Sequence, residues 1–148
     1  MKIYLIVALG SGIGGMLRYY ISDIVQKYSS SLFPYGTLTV NIIGSFIIWL
    51  VLFYLDSIKL ISSEMRLFLT VGLCGGLTTF STFSYETIKL IQDSEYLLAG
   101  TNILLNVFIT LLAVLLAAFI SKIIIGGWNA YRRWSKTFKN FYWRKWSC

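Results

Sequence analysis

Four long apolar stretches, at about 3–21, 36–55, 67–91 and 97–125, take up most of this 148-residue chain and decide what it can become. Each is long enough to cross a hydrocarbon core of ~30 Å as a helix rising about 1.5 Å per residue. Hydrocarbon offers no partner to a backbone amide or carbonyl, so a spanning segment must be a helix or part of a closed barrel. The stretches are continuously apolar rather than alternating, and a barrel would need many more, shorter runs. The expectation is an all-α membrane protein, with four transmembrane helices inserted in the cell membrane and residues 1–126 as its body. Composition agrees: 57% hydrophobic and 13% charged residues stand against about 45–50% and about 25% in soluble domains.

The formal charge of +7 would suggest a polyanionic partner if it were spread evenly. Residues 1–126 instead hold seven Lys/Arg and all six Asp/Glu, whereas 127–148 carry six basic residues and no acid. In that tail Tyr131, Trp134, Phe138 and Phe141 share one helical face. This is the pattern of an interfacial helix on an anionic lipid bilayer, or else an appended segment, and no nucleic acid is expected. Without histidine, and with only Cys74 and Cys148, the chain lacks a Cys/His cluster for zinc, haem or iron–sulfur, and no structural disulfide is expected. The first apolar run leads into glycines and Arg18 rather than a small-residue cleavage site, so no cleavable signal is read.

The third stretch is unusual. Gly72, Gly75 and Gly76, followed by Thr78 and Thr79, sit near its middle, where each glycine costs ~1 kcal/mol of helix propensity and threonine adds more. The helix is expected to break there. Backbone groups freed at bilayer depth are tolerated only where they are buried in protein, line water or hold an ion. A packing kink and an ion site both fit the glycines, and the Thr/Ser-rich sequence that follows points to the ion site. Pro34, the only proline, follows Ser29-Ser30-Ser31 and marks a loop feeding the second helix.

Gly10, Gly12 and Gly15 match a dinucleotide fingerprint in form, but no βαβ unit surrounds them and no acid follows about 20 residues on. Gly10, Gly14 and Gly15 read instead as small residues that let helices approach. Arg18, ending that span beside Tyr19 and Tyr20, either snorkels to the headgroups or attracts anions to a pore mouth. Thr37, Asn41, Gly44 and Ser45 fall on or near one face of the second helix, and Asn102, Asn106 and Thr110 repeat at i, i+4 and i+8 on the fourth, a rail about 12 Å long. Phe80 and Phe83, three apart, project from one side of the third beside the hydroxyls of Thr79, Ser81, Thr82 and Ser84. Ring edges are electropositive. Together with amide and hydroxyl donors they solvate a small dehydrated anion weakly enough for it to leave again.

Three strings, Gly14-Gly15-Met16-Leu17-Arg18-Tyr19, Gly36-Thr37-Leu38-Thr39-Val40-Asn41-Ile42-Ile43-Gly44-Ser45-Phe46 and Gly75-Gly76-Leu77-Thr78-Thr79-Phe80-Ser81-Thr82-Phe83, resemble the Fluc (CrcB-type) fluoride channels, over roughly residues 1–125. The resemblance implies a passive fluoride-selective channel that discharges cytoplasmic fluoride and confers fluoride resistance, catalysing no reaction and using no organic cofactor. It implies an antiparallel, dual-topology homodimer with two pores and a structural sodium ion at its centre. By position, Gly75 and Thr78 correspond to residues whose backbone carbonyls hold the sodium. Phe80 and Phe83 correspond to the paired phenylalanines beside the anion path, Asn41 to the pore asparagine, and Asn106 and Thr110 to part of the polar track. Asn102 and Asn106 stand where related chains often have tyrosine and serine, so the track chemistry is altered. Glu86 is a vestibule residue or a helix-end acid facing water. The tail is a second departure.

A small dual-topology exporter of cationic drugs or guanidinium is the rival, but it needs an acid deep in a helix, and Glu86 lies near the end of its stretch. A non-transporting assembly protein would not explain polar positions on three helices. Lys2, Lys59, Arg66 and Lys122 fall on one side of the membrane and Arg18, Lys27 and Lys89 on the other, a bias too small to orient the body. Insertion both ways, as an antiparallel homodimer, is therefore expected. The alternative is an oppositely oriented homologous subunit, should the six basic residues of the tail fix the termini in the cytoplasm.

Overall fold

A computed structural model describes residues 1–55 and 60–125 of the chain. The expected tail helix with Tyr131, Trp134, Phe138 and Phe141 lies outside the described residues, as does Lys59. Four helical spans are long and apolar enough to cross a membrane: Lys2–Ser29, Tyr35–Leu55, Ser63–Gln92 and Tyr96–Ile124.

Helix α1 (Lys2–Ser29) continues well past the apolar run that predicts it, and ends at Ser30, whose left-handed φ of 46° lets its N–H reach back to the Gln26 carbonyl. Gln26 then fastens the following loop, its Nε2 donating to the carbonyls of Ser31 at 2.7 Å and Phe33 at 3.1 Å. Helix α2 (Tyr35–Leu50) starts directly after Pro34, where a missing N–H does no harm, and widens into a π-helical stretch, Val51–Leu55. The third span is built in pieces. Helix α3 (Ser63–Leu67) is capped by Ser62, whose hydroxyl accepts from the Met65 N–H at 3.2 Å. A π-helical segment, Phe68–Cys74, leads into the single turn α4 (Gly75–Leu77), and α5 (Phe80–Gln92) follows after two extended residues. Ser94, at φ 63°, turns the chain into α6 (Tyr96–Ile125).

Helix α1 packs on α2, on the π-helical segment of the third span and on α4, while α6 packs on α2 and α5. The bundle buries polar side chains among apolar ones such as Val40, Leu90 and Ala117 and turns large apolar residues outward. Leu104, Leu111, Leu115 and Phe119 of α6 are exposed to the outside, whereas Thr37, Thr87, Asn102 and Asn106 are buried. Lipid is as apolar as leucine, so the helices are held by close packing and interhelical hydrogen bonds.

Close packing is where the glycines act. A Cβ on Gly10 would meet the Phe68 carbonyl oxygen at 2.7 Å and the Gly72 Cα at 2.9 Å, and one on Gly76 would meet the Ser11 carbonyl oxygen at 2.5 Å. Gly14 faces the Leu73 carbonyl more tightly still. The expectation for Gly10 and Gly14 therefore holds; a Cβ on Gly15 would meet nothing within 4 Å among the described residues, although the Gly15 N lies 3.1 Å from where a Cβ on Gly76 would stand. The helix break is also placed more narrowly than the glycines suggest. Gly72, Gly75 and Gly76 all stay helical, and the chain leaves the helix at Thr78 (φ −82°, ψ 154°) and Thr79 (φ −150°, ψ 120°). Close helix contact uses the glycines' small size; the break is made by hydroxyl residues that bond backbone groups locally.

Candidate ion pathway

The break is stabilised from both sides of the chain and from a neighbouring helix. Thr78 ends the turn by donating both its N–H and its hydroxyl to the Cys74 carbonyl, each at 2.9 Å. Thr79 begins α5 as its cap: its hydroxyl oxygen accepts from the Thr82 N–H at 3.1 Å and donates to the Thr82 hydroxyl at 3.0 Å, with the Ser81 hydroxyl 3.2 Å away. In a continuous helix the Thr79 N–H would close on the Gly75 carbonyl. Here it donates instead to Asn41 Oδ1 on α2 at 2.8 Å, while Asn41 Nδ2 donates to the Thr79 carbonyl at 3.2 Å. Asn41 thus clamps the exposed backbone of Thr79 with two bonds and leaves the Gly75 carbonyl without its helical donor.

Thr79 stands in the walls of two cavities. One, of about 620 Å³, includes Arg18, Thr37, Thr79, Thr82, Glu86 and Lys89 in its wall. The other, of about 460 Å³, is a groove whose wall includes Asn41, Thr79, Phe80, Phe83, Asn106 and Thr110. The first is a vestibule of mixed charge, and Arg18 stands in it half-buried, in mid-helix rather than at a helix end. Glu86 is likewise no helix-end acid facing water. It lies in the middle of α5, half-buried, with its Oε1 accepting from the Thr37 hydroxyl at 2.8 Å.

The phenylalanines stand as a pair, but in unlike settings. Their ring centroids are 5.4 Å apart at an interplanar angle of 57°, yet Phe83 is 8% exposed and Phe80 79%. Spacing brings the rings together; only packing decides that one is covered by this chain and the other is not. Ser81 and Thr82 are exposed on the first turn of α5, with Thr82 facing the vestibule.

The rail on α6 is split. Asn106 and Thr110 line the groove, but Asn102 is fully buried and absent from its wall. The hydroxyl of Thr110 donates to the Asn106 carbonyl on its own helix. Asn106 Nδ2 donates to the Asn102 carbonyl at 3.1 Å and to Asn102 Oδ1 at 2.8 Å, leaving Asn106 Oδ1 to accept from Asn41 Nδ2 at 3.0 Å. Two contributors escape the sequence reading. Thr87 accepts from Asn102 Nδ2 at 2.9 Å and donates to the Phe83 carbonyl at 2.8 Å; its place four residues after Phe83 was the available signal. Thr79 is legible as a hydroxyl beside two rings, but its backbone pairing with Asn41, 38 residues away, leaves no local mark.

Among the described residues no group of three His, Cys, Asp or Glu side chains is placed to bind a metal. The Gly75 carbonyl, deprived of its helical donor, and the extended Thr78 fit a cation held by backbone oxygen, which is how unwound membrane helices hold sodium.

The broken third span, with Arg18 in the wall of one adjoining cavity and Asn41, Phe80 and Phe83 in the wall of the other, belongs to a multi-pass membrane protein of four helical spans. The chain belongs to the CrcB family: residues 5–118 match the family described as CrcB-like protein, Camphor Resistance (CrcB). It is 46% identical over 122 residues to a protein of Pyrococcus abyssi named fluoride-specific ion channel FluC, covering 82% of this chain and 98% of that one. It is 47% identical over 120 residues to a protein of Clostridium novyi with the same name, covering 81% and 94%. A third so named, from Pelobacter propionicus, is 46% identical over 127 residues, covering 86% and 98%.

Proposed function

We propose that this chain forms a passive, fluoride-selective channel that lets fluoride leave the cytoplasm and so confers fluoride resistance. The observation that carries the reading is that Thr79 lines both the vestibule and the groove, in a chain whose relatives are named fluoride-specific channels. Arg18 and Lys89 are the groups of the vestibule that would attract an anion, against Asp23, Glu86, Asp93 and Glu95 in the same wall. Beyond it, the hydroxyls of Ser81 and Thr82 and the ring edges of Phe83 and Phe80 replace water step by step with weak, numerous contacts, so that the ion is held and released. Asn41 is the amide this route passes in the groove.

The working unit is an antiparallel homodimer of dual topology, with an oppositely oriented homologous subunit as the alternative. Phe80, exposed on a single copy, supports a groove completed by a second one. A structural sodium ion sits between the copies, held by the Gly75 and Thr78 carbonyls of each; two carbonyls from one chain are fewer than a sodium ion takes.

Proteoliposomes containing the protein should pass fluoride far faster than chloride or a guanidinium cation, the last of which tests the exporter reading. Phe80→Ile and Phe83→Ile should each lower fluoride flux by about tenfold, the scale of one lost aromatic interaction, in a protein that still assembles. Wild-type flux in both variants would discard the role of the rings, and equal passage of chloride would discard the channel reading.

A further inference from the structure

The hydrogen bonds around Asn41 form one directed chain. It begins at the Thr79 N–H, which can only donate, and passes through the Asn41, Asn106 and Asn102 carboxamides and the Thr87 hydroxyl. It ends at the Phe83 carbonyl, which can only accept. A chain running from an obligate donor to an obligate acceptor permits a single orientation for every amide between them. Asn106 must therefore turn its oxygen, not its NH2, toward Asn41 in the groove. Its NH2 is held by two acceptors on the fully buried Asn102.

The consequence falls on the two protons of Asn41 Nδ2. One goes to the Thr79 carbonyl at 3.2 Å, closing a two-bond ring with the Thr79 backbone; the other goes to Asn106 Oδ1 at 3.0 Å, a side-chain partner on a different helix. Only the second can be surrendered without dismantling the break. On the α6 side, among the described residues, the Thr110 hydroxyl is turned away to the Asn106 and Val107 carbonyls of its own helix.

We propose that the Asn106 carboxamide oxygen is a resident competitor for the anion at Asn41, and so a selectivity-determining group. It holds the Asn41 proton until an acceptor stronger than an amide oxygen arrives. Fluoride, small and the strongest hydrogen-bond acceptor among the halides, takes that proton; chloride does not recover the cost of displacing the amide. Asn102 and Thr87 are positioning residues that keep the Asn106 oxygen facing the groove. The inference rests on the fluoride-channel reading above and assigns the discrimination step to particular atoms.

The test is the chloride-to-fluoride flux ratio of proteoliposomes containing wild-type protein, Asn106→Leu, Asn102→Leu, Thr87→Val and the double variant Asn102→Leu/Thr87→Val. Removing the competitor in Asn106→Leu frees the Asn41 proton for the weaker anion, so the ratio should rise by about tenfold, the scale of one hydrogen bond. Asn102→Leu and Thr87→Val, which do not line the groove, leave the Asn102 backbone carbonyl to hold one Asn106 proton and should move the ratio in the same direction by less. The double variant should match the stronger single one, because either change already interrupts the side-chain relay beyond Asn106 and neither removes the Asn102 backbone carbonyl. Ser121→Ala, which removes an equally buried hydroxyl bond elsewhere on α6, should leave the ratio unchanged. A purely structural role for these residues would lower both fluxes together. An unchanged ratio in Asn106→Leu, or in both Asn102→Leu and Thr87→Val should Asn106→Leu not assemble, overturns the proposal while wild-type fluoride flux keeps the channel reading. Absence of fluoride flux in the wild type removes both.

Discussion

Replacing Gly76 with alanine should loosen the contact that sets the position of the helix break. The added Cβ would lie 2.5 Å from the Ser11 carbonyl oxygen, 3.0 Å from the Ser11 Cα and 3.1 Å from the Gly15 N. All three are backbone atoms of α1, so no side chain can rotate away. To restore ordinary van der Waals contact, α1 and α4 must separate by roughly 1 Å, and overpacking of this kind costs about 1–3 kcal/mol. The rigid backbone places the cost near the upper end, and the better helix propensity of alanine returns ~1 kcal/mol. A net loss of about 2 kcal/mol remains, which for a chain of this size lowers the melting temperature by about 4–8 °C. Thr78 and Thr79 follow Gly76 directly and Arg18 rides on α1, so the same displacement shifts the break against the vestibule and fluoride flux should fall. Gly12→Ala and Gly100→Ala are the controls, because a Cβ at either meets nothing within 4 Å. Thermal unfolding in detergent, followed by size exclusion, and flux in liposomes together provide the measurement. A Gly76→Ala protein that melts with the two controls would refute the argument that backbone contact with α1 holds the break.

Replacing all sodium with a large organic cation should lower the stability of the dimer, if the Gly75 and Thr78 carbonyls hold that ion; indifference, together with no metal found by elemental analysis, would remove the site. Terminal reporter fusions of the 1–126 body should show both orientations, and comparison with the full chain tests whether residues 127–148 fix the termini in the cytoplasm. A body found in one orientation only would refute the dual-topology homodimer.

What the sequence by itself determined is the set of features that act through composition and local pattern. Continuous apolar stretches, in a solvent that cannot satisfy backbone groups, leave helices as the outcome, and the four spans lie where those stretches do. The Gly- and Thr-rich interruption placed a break in the third of them, and the ordered strings around Asn41 and Phe80 pointed to the family before any packing was known. Tertiary structure decided how those residues are used. Whether a glycine is a weak point or a contact surface depends on what lies opposite, so Gly76 is sealed against Ser11 while a Cβ on Gly12, the next residue of α1, would face open space. Whether an asparagine on a polar rail lines a path or supports it depends on its neighbours, so Asn106 reaches the groove and Asn102, one turn away, is closed off. The direction of each amide is set still less locally. It follows from a chain of bonds that starts at one backbone N–H and ends at one backbone carbonyl, through α2, α6 and α5. Residues so far apart in sequence carry no mark of that pairing, because hydrogen-bond polarity is a property of the assembled network and not of any one residue.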